Sequence, residues 1–128
     1  MKLVSALVAG YAVLLALCGG ALVFAPEAFR ISEGSAGSPA LAQVLGAAFL
    51  GFATANWVAR RSVLGGIYGR AVVAGNQAFA FVGALSLLGS RPSDPSLAFW
   101  GLLAVLTLGA ALFGWLLFRG PRLGGDER

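Results

Sequence analysis

The chain is expected to be an all-α polytopic membrane protein, a bundle of four transmembrane helices with both termini in the cytoplasm. Three observations carry that expectation. The composition is too apolar for a soluble domain: 59% of the 128 residues are hydrophobic and 11% are charged, where soluble domains carry roughly 25% charged residues. The charges are also placed in clusters. They leave four charge-free windows, 3–26, 34–59, 71–90 and 95–118, of 24, 26, 20 and 24 residues. A helix needs about 20 mostly apolar residues to cross a hydrocarbon core of about 30 Å. Finally, the basic residues fall unequally on the two sides that four crossings define.

The first crossing is expected over residues 3–25. It follows Met1-Lys2 and resembles a signal peptide at first sight. Secretory apolar regions run about 7–15 residues, and this run is longer, so it is read as a retained crossing. Leu15-Ala16-Leu17-Cys18-Gly19 suggests a lipoprotein box, but Leu17 is large where that motif wants a small residue. Cys18 is therefore read as a packing cysteine. Pro26 ends the helix, because the residue before proline is pushed out of the helical region. Pro26 to Arg30 reads as one interfacial turn with Phe29 dipping into lipid. The stretch 32–39 is rich in Ser and Gly and reads as a loop.

The second crossing is expected over 40–59, followed by a basic hairpin from Arg60 to Arg70. The third is expected over 71–88. Residues 89–95, dense in Gly, Pro and Ser, form a turn before a fourth crossing over 96–118. Residues 119–128 read as a polar cytoplasmic tail.

Counting from an inside N-terminus, the inner segments hold Lys2, Arg60, Arg61, Arg70, Arg119, Arg122 and Arg128, and the outer ones hold Arg30 and Arg91. Seven against two, in short loops, places both termini and the central hairpin in the cytoplasm of a bacterial inner membrane. It also disfavours dual topology. Trp57, Tyr68, Trp100 and Trp115 fall near the expected interfaces, as aromatic belts do.

Composition removes much chemistry. There is no histidine and a single cysteine. Zinc, iron–sulfur and haem sites are built mainly from those residues, and a disulfide within the chain is impossible. Ser–His–Asp catalysis lacks its base. No window contains a carboxylate, so proton relays on intramembrane acids are absent. No cofactor and no enzymatic activity are expected. The net charge of +4 reflects membrane topology rather than nucleic-acid binding.

Close packing of small residues joins helices in lipid. The spacing-four stripe Ala47, Gly51, Ala55 and Ala59 is the expected packing face of the second helix, and Ala80, Gly83 and Ala84 that of the third. Ala12, Ala16 and Gly20 mark the first, and Ala110 and Gly114 the fourth. The fourth carries only Thr107 as a mid-helix polar residue and is expected to face mostly lipid.

Buried amides are costly without partners, so Gln43, Asn56, Asn76 and Gln77 are informative. Two readings stand for the cluster between the second and third helices. In one, Asn56 and Asn76 clamp the two helices together. In the other, a cytoplasm-facing pocket binds a phospholipid or a quinone. Its polar contacts would be Asn56, Asn76 and Gln77, its walls Phe49 and Phe52, its floor Ala80 and Gly83, and its rim Arg60, Arg61, Tyr68 and Arg70. The basic hairpin is also expected to attract anionic lipid head groups. Gly65-Gly66 and Gly69 lack the spacing and trailing Lys of a phosphate loop.

Among small four-crossing families, the multidrug exporters need a glutamate in the first helix and fluoride channels a Thr- and Phe-rich third helix. Neither is present. The chain resembles instead the small bacterial four-helix membrane proteins of the DoxX-like group. The likeness lies in Leu22-Val23-Phe24-Ala25-Pro26, in Leu45-Gly46-Ala47-Ala48-Phe49-Leu50-Gly51-Phe52, and in Leu64-Gly65-Gly66-Ile67-Tyr68-Gly69-Arg70 leading to Gly75-Asn76. Some members of that group are membrane subunits beside redox enzymes. The resemblance implies an accessory or scaffold subunit that packs against a membrane protein partner or forms a homo-oligomer. A channel or transporter for a small neutral solute is a further alternative.

Overall fold

The computed structural model describes residues 2–29, 39–63 and 65–119. Residues 120–128 of the expected tail, the larger part of the loop 32–39 and Arg30 lie outside the described residues; Arg119, expected in the tail, ends the last helix. The fold is all-helical: α1 Lys2–Phe24, a short 3-10 turn Pro26–Ala28, α2 Pro39–Ala59, α3 Gly66–Gly89 and α4 Leu97–Arg119. Each of the four α-helices is long and apolar enough to cross a membrane.

Local chemistry sets the ends. Pro26 stops α1 two residues after Phe24. Pro39 opens α2, where a missing N–H costs nothing. Ser96 caps α4: its hydroxyl accepts the Phe99 N–H at 3.1 Å. The same hydroxyl donates to the Phe29 carbonyl at 3.3 Å, which ties the α1–α2 turn to the α3–α4 turn. Phe29 is buried within the protein at 6% exposure and does not dip into lipid as expected.

Helix α3 begins five residues before its expected start, so the connector from α2 is short. Gly65 is extended and Gly66 takes φ +72°, a left-handed conformation that favours glycine. Gly69 packs beneath the Ser62 carbonyl, where a Cβ would come within 2.2 Å of that oxygen. Arg70 thus lies inside the helix. Its long apolar stem carries the charge outward, which is why a charge did not mark the helix boundary.

The helices pack most extensively as α1 with α2 and α3 with α4. Gly19 and Gly46 bring α1 and α2 together, each facing the other's carbonyl oxygen; a Cβ on either would sit 2.8 Å from it. The small stripe predicted for α2 is rotated away from this seam. Ala47 and Gly51 are exposed, nothing lies within 4 Å of a Cβ built on Gly51, and Ala55 and Ala59 are half-buried. The buried face of α2 is Gly46, Phe49, Ala53 and Asn56. On α3 the expected residues do pack. Ala80 and Ala84 are buried, and Gly83 lies against Leu106 of α4.

Helix α4 does not face mostly lipid. Phe99, Leu102, Leu106, Gly109, Phe113 and Leu116 are among its buried residues, and a third of its most apolar 18 residues is buried, as for α1. Tyr11 of α1 reaches it, donating to the Val105 carbonyl at 3.2 Å and meeting Phe113 edge-on at 5.5 Å. Gly109 leaves the room this ring needs.

Candidate functional site

Two polar side chains are buried among the described residues, Asn56 at 0% and Asn76 at 2% exposure. The Asn56 amide nitrogen donates to Asn76 Oδ1 at 2.8 Å, and Asn76 Nδ2 donates back to Asn56 Oδ1 at 2.9 Å. Asn76 Nδ2 also donates to the Val72 carbonyl at 2.8 Å. The two amides form a closed pair in which each supplies what the other lacks. That geometry is a clamp between α2 and α3.

Of the remaining residues of the predicted α2–α3 pocket, Arg60 and Arg61 line a cavity against α1, and the others have different neighbours. Phe79 fills the space between the expected walls, stacked on Phe52 at 4.4 Å and edge-on to Phe49 at 5.2 Å. Gln77 leans toward α4, where a Cβ on Gly114 would lie 3.6 Å from its amide. Its buried Oε1 has no hydrogen-bond partner among the described residues. Ala80 and Gly83 face α4 rather than a pocket floor. At the rim, Tyr68 is 87% exposed and Arg70 is exposed. Gln43 is exposed and donates to the Val23 carbonyl of α1 at 3.3 Å. Cys18 is half-buried against the core.

An open volume lies at the end of the bundle where α1 starts and α2 ends. A cavity of about 520 Å³ is bounded there by Lys2, Ser5, Arg60 and Arg61, with Ala6 and Ala9 further along α1. It falls within the roughly 300–1,000 Å³ range of small-molecule sites. Its walls are short because the α1 residues facing it are Ser and Ala. Val4 and Val63, both buried, close its inner side. Arg60 is positioned by Trp57, stacking over the indole at 4.2 Å and donating to the Trp57 carbonyl. A second such pair, Arg119 over Trp115 at 4.3 Å, sits at the C-terminal end of α4.

Sequence reasoning found Arg60 and Arg61 but missed Lys2 and Ser5 as their neighbours. It also missed Tyr11, although a tyrosine far from both ends of a crossing needs a buried partner for its hydroxyl. Among the described residues no group of His, Cys, Asp and Glu is arranged to hold a metal ion. No protein-family model matches the chain, and comparison with curated proteins and with solved structures found no similar protein.

Proposed function

We propose that the protein is a non-enzymatic module of the bacterial inner membrane, an accessory or scaffold subunit that works through its surfaces. The observation that carries this reading is the reciprocal Asn56–Asn76 pair. The most deeply buried polar groups hold two helices in register, which is a structural use of groups that a reaction centre would leave available to substrate. A DoxX-like relationship, some of whose members sit beside redox enzymes, agrees with the same reading.

The proposed topology places both termini in the cytoplasm. Lys2, Arg60 and Arg61 share one end of the bundle, and short basic segments favour the cytoplasmic side. Glu27 and Asp94 belong to the turns at the opposite end, which Ser96 and Phe29 join.

Purification from native expression in mild detergent tests the function, with the complex mass as readout. A stoichiometric complex with another membrane protein or with a second copy supports the module. A monomer at native abundance, unchanged in melting temperature by candidate partners, overturns it. Reporter fusions test the topology: a periplasm-dependent reporter should be active in the 89–96 turn and inactive after Arg119.

A further inference from the structure

The cavity at the start of α1 combines features that the scaffold reading does not use. Three cations from two distant parts of the chain, Lys2, Arg60 and Arg61, surround its mouth. The carboxylates among the described residues, Glu27 and Asp94, lie in turns at the other end of the bundle, so no described carboxylate lines the cavity. Below the mouth the lining turns apolar. Ala9 is seven residues along α1 from Lys2, about 10 Å deeper at 1.5 Å per residue. Ser5 lies between these levels. Thr54 and Thr107 donate to carbonyls one turn back. Ser5 makes no such bond to a described residue and lines the cavity.

We propose that this cavity holds one anionic phospholipid from the adjoining leaflet. Its phosphodiester lies among Lys2, Arg60 and Arg61, its glycerol ester accepts from Ser5, and its first acyl carbons lie along Ala6 and Ala9. Charge complementarity selects the headgroup, and the apolar depth selects a lipid over a free anion. The proposal goes beyond the accessory-subunit reading and does not depend on it. It needs only that the four helices cross a bilayer.

The test uses the full chain purified in mild detergent and reconstituted in bilayer discs of phosphatidylcholine with a minor fraction of phosphatidylglycerol. Native mass spectrometry reads the retained lipid. One phosphatidylglycerol per chain is expected, resistant to added inorganic phosphate. Each basic residue near an anionic surface contributes about fivefold. Lys2→Gln, Arg60→Gln and Arg61→Gln together should therefore weaken retention about 100-fold. Ala9→Met, which fills the cavity with all charges kept, should weaken it about tenfold. Ala6→Met, at an exposed position, repeats that test should Ala9→Met fail to fold. Three results overturn the proposal: full retention by a folded cavity-filling variant, equal retention of phosphatidylcholine, or displacement of the lipid by phosphate. The first would mean that head groups gather diffusely around a basic rim, and the last that the site is one for free anions.

Discussion

The seams within the two helix pairs differ in kind from the contacts between the pairs. Within a pair, small residues let backbones or side chains approach closely: Gly19 and Gly46 between α1 and α2, and Ala80, Gly83 and Gly109 between α3 and α4. Between pairs, aromatic rings meet, Phe79 with Phe49 and Phe52 and Tyr11 with Phe113, and the buried side-chain hydrogen bonds are found there too. Asn56 holds Asn76 across α2 and α3, and Tyr11 holds the Val105 carbonyl across α1 and α4. The division follows from the solvent. Lipid offers no hydrophobic gain for pairing apolar helices, so close packing provides the attraction. A hydrogen bond adds direction, since an amide in hydrocarbon has few alternative partners.

The comparison breaks most severely at the α1–α2 seam. Gly46→Val should cost about 3 kcal/mol, because its Cβ would meet the Gly19 carbonyl at 2.8 Å and Leu22 Cβ at 2.9 Å, and a backbone oxygen cannot swing aside. Reversible unfolding in mixed micelles would show this as an early transition. Next comes Asn56→Leu, which leaves Asn76 facing an apolar side chain and should cost about 1–2 kcal/mol. The double variant Asn56→Leu/Asn76→Leu should be more stable than that single one. A double variant as weak as the sum of two singles would show that the amides act apart. Tyr11→Phe removes one hydroxyl and keeps the ring, so a loss of about 0.6 kcal/mol is expected from thermal unfolding in detergent. Smallest is Gly83→Ala. Its Cβ would lie 3.3 Å from Leu106 Cδ1, the end of a flexible side chain, and a change within about 0.5 kcal/mol is expected. A large loss there would erase the contrast with Gly46.

Much of this architecture was legible before any coordinates. The charge-free windows, trimmed at their Pro-, Gly- and Ser-rich edges, located α1, α2 and α4 to within one residue at each end, because an isolated charge is expensive in hydrocarbon. The start of α3 was misplaced because Arg70 tolerates a helical position near the surface. The buried amides were legible for the same energetic reason as the windows. The packing face of α2 was not, since Gly46, Ala47 and Ala48 are consecutive small residues and adjacent stripes look alike in sequence. Only the neighbour, Gly19, chooses between them. The cavity was half legible. The basic hairpin is a local feature, but its meeting with Lys2 and Ser5 depends on how α1 is set against α2, which no local pattern encodes.

The Asn56–Asn76 bond also carries a consequence for biogenesis. The two residues are 20 apart in sequence, and synthesis proceeds at about 5–20 residues per second. Asn56 therefore emerges about 1–4 s before its partner exists. During that interval the nascent α1–α2 hairpin carries an unpaired amide, a reason for it to stay beside the insertion machinery or near the interface. The arrival of Asn76 removes the penalty and favours pairing of α3 with the α1–α2 hairpin before α4 is made. Chain elongation thereby sets the earliest moment at which α2 and α3 can pair.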